Sequence, residues 1–309
     1  MKFAFFFPGQ GSQSVGMMQG LADIAVVRQT FDEASSILGQ DFWTMVTEPN
    51  AALNQTSNTQ PLMLTAGVAT WRAWQAQSSL SPSIMAGHSL GEYTALVAAG
   101  ALTFKDALPL VRYRAEVMQN AVAEGVGAMA AILGLDDETV RQVCAEGAHG
   151  EVLEAVNLNS PGQVVIAGNK AAVERGMELA KAKGAKRALA LPVSVPSHCA
   201  LMKPAAEALA VYLQNVQMTA SNIPVIHNAD VLAYNDINQM KGALVRQLYS
   251  PVRWVETVQS AYNQGITNSA ECGPGKVLAG LTKRIVTELP CLALTSAEAL
   301  TEAQTQFSA

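Results

Sequence analysis

The sequence has few cysteines, little charge and no long hydrophobic run. Its four cysteines lie far apart without a Cys-x-x-Cys pair, which argues against a zinc site or a redox motif and favours free thiols. The longest apolar run near the start, Phe3 to Phe7, is too short for a signal-peptide core, and no stretch approaches the length of a membrane span. We therefore expect a soluble, cytoplasmic protein that has no metal and no membrane segment.

Positive charge is also scarce. The 20 basic residues are outnumbered by 25 acidic ones, and no basic run is interleaved with aromatic residues, so nucleic-acid binding is disfavoured. Apolar residues, in contrast, make up 50% of the 309 positions. A chain of this length and composition can bury a substantial core, and we expect two domains or one large domain with an insertion.

A nucleophile elbow is the most informative pattern in the chain. Between Ile84 and Gly100 a short apolar run is followed by Gly-x-Ser-x-Gly and then by an alanine-rich segment of helical character. This order predicts a sharp strand-to-helix turn with Ser89 at its tip, where flanking glycines tolerate the crowded backbone. Backbone N–H groups at the start of such a helix are free to stabilise an oxyanion.

The predicted elements describe an α/β protein with a mostly parallel sheet and one inserted unit. Strands are expected at Phe3–Phe7 and Ile84–Ala86, with helices over 61–76 and 92–99. The loop after the first strand has Ser14 where a dinucleotide fingerprint needs glycine, which disfavours a dinucleotide site.

From about residue 123 a compact unit begins. The order βαββαβ, typical of a ferredoxin-like unit, is expected there. Its predicted strands and helices, in chain order, are 129–135, 136–146, 152–158, 164–167, 170–183 and 187–191. We assign residues 1–122 and 195–309 to a large α/β subdomain and residues 123–194 to a small inserted one.

A serine nucleophile needs a base, and the chain offers four histidines. His88 adjoins Ser89 on a tight turn and should point elsewhere, while His149 lies in a polar connection. His198, in a proline-punctuated loop after a strand, is favoured over His227, which ends an apolar run and could be a core side chain. No acidic residue between Ser89 and His198 stands out as the third member of a triad, so the orienting group need not be acidic.

Arginine occupies an unusual place on a predicted helix over Thr103–Asn120. A capping Thr-x-x-Asp opens this helix, although Pro109 leaves its start uncertain. At helical spacing Arg114 lies in the middle of the apolar face and Arg112 lies off it. Two interpretations remain open: the guanidinium reaches the surface along its stem, or it is buried and awaits an anion such as a substrate carboxylate.

Taken together, these motifs closely resemble the bacterial malonyl-CoA:acyl carrier protein transacylases of fatty acid synthesis. The resemblance runs nearly end to end. Its motifs are Phe-Pro-Gly-Gln-Gly-Ser-Gln at 7–13, Gly-His-Ser-Leu-Gly-Glu at 87–92, Tyr-Arg at 113–114, Asn-Ser-Pro-Gly-Gln at 159–163, Pro-Val-Ser-Val-Pro-Ser-His at 192–198 and Glu-Cys-Gly-Pro-Gly-Lys-Val-Leu at 271–278.

The resemblance implies a hydrolase-like α/β core with an inserted ferredoxin-like subdomain. It also implies that Ser89 is the nucleophile and His198 the base. Gln247 would orient His198 through its main-chain carbonyl, which would account for the missing acid. The main-chain amides of Gln10 and Leu90 would form the oxyanion hole.

For the substrates, the resemblance implies that Arg114 holds the malonyl carboxylate, with Asn159 as a further substrate contact. The reaction would be ping-pong, from malonyl-CoA to a serine ester to the pantetheine thiol of acyl carrier protein, and would need no cofactor. Such carriers are acidic, so a basic patch is expected near the site mouth, with Lys186, Arg187 and Lys283 as candidates that could equally belong to a solvated face. A monomer is expected.

Two other functions share part of this pattern. A serine hydrolase or thioesterase would also use Ser89 and His198, and Arg114 favours transfer over hydrolysis. A non-catalytic module that binds carrier protein could keep the fold, but the intact nucleophile, base and arginine argue against it.

Overall fold

The computed structural model describes residues 1–193 and 195–308. Residues 194 and 309, which end the two predicted subdomains, lie outside the described residues. Within those ranges the strands are β1 (Phe3–Phe7), β2 (Ile84–Gly87), β3 (Gly127–Leu133), β4 (Leu153–Ser160), β5 (Gln163–Asn169), β6 (Arg187–Ala190), β7 (Val225–Ile226), β8 (Asn268–Glu271) and β9 (Cys291–Ala293). The α-helices are α1 (Ala25–Leu38), α2 (Phe42–Thr47), α3 (Thr56–Gln77), α4 (Gly91–Ala98), α5 (Phe104–Asn120), α6 (Asp137–Ala148), α7 (Lys170–Ala182), α8 (Lys203–Gln214), α9 (Ile237–Gln247), α10 (Trp254–Asn263), α11 (Val277–Ile285) and α12 (Ala297–Ser308).

The first sheet is parallel and has the strand order β7-β2-β1-β8-β9. Its central strand β1 is buried along its whole length, as expected of a parallel strand that helices cover on both faces. On one face Phe5 meets Trp74 of α3 at a ring-centroid distance of 5.1 Å, and on the other Phe6 meets Trp254 of α10 at 5.4 Å. The carboxyl ends of β1 and β2 therefore open at the same edge, where α/β sheets bind ligands.

The second sheet is antiparallel and has the strand order β4-β5-β3-β6. Its elements follow the predicted βαββαβ order, and α6 and α7 cover one face through a separate apolar cluster. The other face carries Met129, Val156 and Val165, which pack with Cys199 beyond the sheet. A parallel bridge between Asn157 and Val252 ties β4 to the part of the chain that leads into α10.

The observed elements differ from the predicted ones mainly at their ends, and two of the differences have a clear local cause. The connection between the predicted strands 152–158 and 164–167 is only two residues long, because Asn159 and Ser160 extend β4 and Gly162, with φ of +74°, makes the tight reversal into β5. Helix α5 begins at Phe104, where the Thr103 side chain accepts the Asp106 N–H, and it continues through Pro109. The capping pattern, and not the proline, therefore marks the start of this helix.

In the described part of the chain, no helix has the length and apolar character needed to cross a bilayer.

Candidate active site

Ser89 occupies the turn between β2 and α4 that the sequence predicts. Its φ of +51° lies in the left-handed region, a strained conformation for a residue other than glycine. A Cβ on Gly87 would lie 1.9 Å from the carbonyl carbon of Gly91, and a Cβ on Gly91 would lie 2.0 Å from the Phe7 oxygen. Both flanking positions are glycine because three backbone segments cross here without room for a side chain.

The side chains of Ser89 and His198, the expected nucleophile and base, are within hydrogen-bond distance of each other. His198 Nε2 lies 2.8 Å from Ser89 Oγ, and its Nδ1 lies 2.7 Å from the main-chain oxygen of Gln247. Since a carbonyl can only accept, we assign the ring proton to Nδ1, which leaves Nε2 free to accept the serine proton. Burial, followed by the positive charge of Arg114, lowers the pKa of His198 to about 3, so the imidazole is neutral near pH 7.

Arg114 is buried beside the nucleophile. Its side chain is 1% exposed; Nη1 donates to Gln60 Oε1 at 2.8 Å, and Nη2 donates to Gln247 Oε1 at 2.9 Å and to Ser89 Oγ at 3.3 Å. No carboxylate in the described part of the chain forms an ion pair with it, and its Nε has no partner there. Burial lowers the pKa of this guanidinium. The interpretation in which the guanidinium reaches the surface along its stem is wrong, because the whole side chain is buried. A buried cation is costly without an anion to pair with it.

The main-chain N–H groups of Gln10 and Leu90, the two expected oxyanion donors, belong to neighbouring segments at the elbow. Leu90 follows the nucleophile directly, and Gln10 lies in the loop after β1. Within residues 1–193 and 195–308, neither N–H has a hydrogen-bond acceptor. The β1 loop passes close over the elbow, since a Cβ on Gly9 would lie 2.4 Å from the His88 oxygen and 3.7 Å from the Leu90 nitrogen. These two donors can stabilise negative charge on an oxygen bound beside Ser89.

The cleft that holds these groups has a volume of about 130 Å³ and lies between the two sheets. On its polar side it is lined by Ser89, His198 and Arg114, and on the side of the second sheet by Met129 and Asn157. The remaining lining residues are Gln10, Thr56, Gln60, His88, Leu90, Met118, Leu191, Val193, Val195 and Ser197.

The structure does not place Asn159 among the residues that line the cleft. Its Oδ1 lies 2.8 Å from Nε2 of His88, whose pKa is lowered by burial. This contact joins the elbow to the end of β4, and the neighbouring Asn157 faces the cleft instead. The register of β4 shifts within these residues. Across such a shift, the sequence alone does not tell which side chains of the strand face the cleft.

Three candidate basic residues lie outside the cleft. Lys186 and Arg187 are exposed at the start of β6, and Lys283 is exposed on α11. In the part of the chain that the structure describes, none of the three forms an ion pair. They are free to meet an acidic partner.

Sequence reasoning missed three polar residues that hold the site together. Gln60 on α3 accepts from Arg114, Glu92 on α4 binds Gln247, and Asn228 accepts the Ser89 N–H through Oδ1 at 2.7 Å. For Glu92 the sequence did contain a signal, because this residue lies one helical turn after Ser89. His227 is a buried core side chain, as its apolar run indicated, and its Nδ1 lies 2.7 Å from Glu92 Oε1.

The described residues contain no cluster of three or more His, Cys, Asp or Glu side chains that could hold a metal ion.

Comparison with known proteins identifies the family of this chain. The acyl transferase domain family matches residues 4–301. The malonyl CoA-acyl carrier protein transacylase of Salmonella typhimurium is 55% identical over 307 residues, which cover 99% of both chains. The crystal structure of an acyl-carrier-protein S-malonyltransferase from Burkholderia pseudomallei is 59% identical, with a TM-score of 0.97 over 99% of this chain and 100% of that one.

A second structure shows a malonyl-transacylase in complex with a type II PKS acyl-carrier protein. That chain is 53% identical and superimposes with a TM-score of 0.97 over 99% of this chain and 100% of its own. The residues brought together here thus belong to a fold and a sequence shared over the full length of these relatives. This chain is a member of the acyl transferase family and, within it, of the malonyl CoA-acyl carrier protein transacylases.

Proposed function

We propose that this protein transfers a malonyl group from malonyl-CoA to the pantetheine thiol of acyl carrier protein, in fatty acid synthesis, through an ester on Ser89. The observation that carries this proposal is Arg114, a buried guanidinium that has no ion-pair partner among the described residues and lies 3.3 Å from Ser89 Oγ. A malonyl group carries its carboxylate one methylene from the reacting carbonyl. A cation this close to the nucleophile suits such an acyl group.

In the first half-reaction Ser89 Oγ attacks the thioester carbonyl while His198 Nε2 takes its proton. The N–H groups of Gln10 and Leu90 stabilise the oxyanion. The C–S bond then breaks, and His198 returns the proton to the departing CoA sulfur. The product is the malonyl ester of Ser89.

In the second half-reaction the same groups act in reverse. His198 takes the proton of the pantetheine thiol, and the sulfur attacks the ester carbonyl. When the C–O bond breaks, the proton passes to Ser89 Oγ. No metal or prosthetic group is required for either half. All the groups come from one chain, so a monomer suffices, and we place the reaction in the cytoplasm.

The proposed architecture is a hydrolase-like core, residues 1–122 and 195–309, with a ferredoxin-like subdomain, residues 123–194, inserted between its halves. The parallel order β7-β2-β1-β8-β9 supports the first part and the order β4-β5-β3-β6 supports the second. The insertion supplies the wall of the cleft that faces Ser89.

Intact mass spectrometry of the protein after brief exposure to malonyl-CoA tests the function directly. We expect one malonyl group per chain, retained in buffer and removed when acyl carrier protein is added. An adduct that buffer removes as fast as carrier protein does would indicate a hydrolase. Absence of any adduct would contradict the proposal.

Replacement of Arg114 by alanine is expected to erode the preference for malonyl-CoA over acetyl-CoA by about tenfold or more. A charge-assisted hydrogen bond contributes roughly 1.5 to 3 kcal/mol. Acetyl-CoA has no carboxylate and does not form this bond, so the substitution removes nothing from it. The measurement is kcat/KM for both substrates. Arg112→Ala is the matched control, because Arg112 lies two residues away and donates to Leu38 and Gln40 instead. Equal losses toward both substrates in Arg114→Ala would contradict the assignment.

The pH dependence of acylation should reflect the lowered pKa of His198. The base is active when neutral, and a pKa of about 3 keeps it neutral in mild acid. We therefore expect kcat/KM for malonyl-CoA to stay nearly constant from about pH 8 down to about pH 5.5, whereas an imidazole with the ordinary pKa of about 6.5 would lose roughly tenfold. A midpoint near 6.5 would contradict the prediction.

The same shift has a consequence for stability. The unfolded chain binds a proton at His198 near the ordinary pKa, and the folded chain does not, so the free energy of unfolding falls as the pH drops below about 6.5. Circular dichroism at each pH therefore accompanies the kinetic measurement.

We propose further that Lys186, Arg187 and Lys283 meet the acidic carrier protein. Reversing all three charges to glutamate should raise the KM for carrier protein by about tenfold, because like charges slow association. Lys105→Glu, an exposed change on α5, is the control. Unchanged kinetics toward carrier protein in the triple variant would remove this patch from consideration.

A further inference from the structure

Glu92 is a buried carboxylate beside the nucleophile that takes no part in the two half-reactions. It is fully buried in the first turn of α4. Oε1 lies 2.7 Å from His227 Nδ1, while Oε2 accepts the Asn228 N–H at 2.9 Å and Gln247 Nε2 at 2.8 Å. A buried charge of this kind is costly unless it is fully hydrogen-bonded, and here both oxygens are.

The carboxylate determines which way the Gln247 amide faces. Oε2 of Glu92 accepts hydrogen bonds from the Asn228 N–H and from Gln247, so the NH₂ group of Gln247 points to Glu92 and the amide oxygen points away from it. That oxygen accepts from Arg114 at 2.9 Å, and Nε2 also donates to the Ser89 main-chain oxygen at 3.0 Å. With the amide reversed, two donors would face each other at Arg114, and the amide oxygen would face the carboxylate.

Glu92 meets only the main-chain N–H of Asn228, and the elbow is held by the Asn228 side chain instead. Asn228 accepts the Ser89 N–H at 2.7 Å and donates through Nδ2 to the Gly87 oxygen at 2.7 Å. His227 completes the set on the other side: Nδ1 meets Glu92, and Nε2 has no partner among the described residues. The hydrogen-bonded path from Glu92 to Arg114 passes through a single group, the side-chain amide of Gln247.

The base is held independently of the Gln247 side chain. His198 Nδ1 bonds to the main-chain oxygen of Gln247, and the His198 N–H donates to the Leu248 oxygen at 3.0 Å. Loss of the amide orientation should therefore disturb Arg114 more than the Ser89–His198 pair. Selectivity for the acyl group and nucleophile activation then become separable.

We propose that Glu92 is a positioning residue for acyl-group selectivity: by orienting the Gln247 amide, it supplies the acceptor that keeps the Arg114 guanidinium beside Ser89. This role deepens the proposed transfer reaction and rests on it. The acyl groups selected are those with a carboxylate at the position that Arg114 can reach.

The test compares kcat/KM for malonyl-CoA and acetyl-CoA in Glu92→Gln and in wild type. We expect the value for malonyl-CoA to fall about tenfold and the value for acetyl-CoA to change less than about threefold, because only the former uses the oriented guanidinium. Gln247→Leu should show the same drop in the malonyl-to-acetyl ratio. The double variant should show no further drop, as expected for two residues that act through one contact.

Glu271→Gln is the matched control. Glu271 is equally buried at the end of β8, but its Oε2 accepts from the Ala279 N–H at 2.8 Å and it is not among the residues that line the cleft. Its ratio should stay at the wild-type value. If replacing a buried glutamate only destabilised the protein, both variants would lose stability and neither would change its malonyl-to-acetyl ratio.

A folded Glu92→Gln variant with an unchanged malonyl-to-acetyl ratio overturns the proposal, including the case in which both substrates lose rate equally. If Glu92→Gln does not fold, Glu92→Asp is measured instead. This variant moves the carboxylate back by one methylene, and the same drop in the malonyl-to-acetyl ratio is expected. If neither folds, Gln247→Leu decides, because an unchanged ratio there removes the amide from the argument. Failure of wild type to accept a malonyl group would instead contradict the proposed function itself.

Discussion

A Ser89→Ala variant should form no malonyl ester and should transfer malonyl groups about 10⁶-fold more slowly than wild type, the loss typical of removing a serine nucleophile. The reason is geometric. Ser89 Oγ is the atom that lies 2.8 Å from the base and 3.3 Å from the guanidinium, and the substitution removes it while leaving the turn in place. Intact mass after exposure to malonyl-CoA measures the ester, and a coupled assay with carrier protein measures transfer.

Ser197→Ala is the control for this variant. Ser197 lines the same cleft, but its hydroxyl lies 3.5 Å from the Val195 oxygen, so its removal should leave the adduct intact. Malonyl-CoA should still bind to Ser89→Ala, because Arg114 is retained, and calorimetry can measure this. An ester that still forms in Ser89→Ala would assign the nucleophile to another residue.

A His198→Ala variant should acylate about 10²- to 10⁴-fold more slowly, the range that a general base contributes. Without Nε2 the Ser89 proton has no acceptor at 2.8 Å, while the oxyanion donors and Arg114 remain. The rate of ester formation under single-turnover conditions is the quantity to measure, and added imidazole should restore part of it by occupying the space of the lost ring.

His149→Asn serves as the control for His198→Ala. His149 is exposed at the end of α6 with φ of +48°, a conformation that asparagine tolerates, so this change should leave acylation unaltered. If His198→Ala acylated at the wild-type rate, Ser89 would have to be activated by some other group. Rescue by imidazole in His198→Ala but not in Ser89→Ala would separate the two roles.

Local patterns predicted most of the elements correctly because their causes are local. The buried run Phe3–Phe7 forms β1 within its predicted bounds, and the Thr-x-x-Asp cap at Thr103 begins α5. The elbow follows from its two glycines, whose missing side chains are required by the crossing of adjacent segments. Pro109 obscured the start of α5, since the effect of a proline inside a helix depends on surrounding packing.

The contacts between residues far apart in the chain were harder to predict from the sequence. Spacing alone left Arg114 open to two interpretations, and burial decided between them. Asn157 lines the cleft where Asn159 was expected, because the register of β4 shifts within these residues. Glu92 was one acid among many in the sequence, and only its contacts with Gln247, 155 positions away, reveal what it holds.

By itself, the sequence determined that this chain is an α/β protein with a serine at a strand-to-helix elbow, and its motifs indicated the family to which it belongs. The tertiary structure decided which histidine meets that serine, across 109 positions, and which backbone carbonyl holds the histidine. It also decided how the buried guanidinium is held. The physical reason is that hydrogen bonds and burial depend on distances in space, and a hydrogen bond is lost within fractions of an ångström that no spacing along a chain can specify.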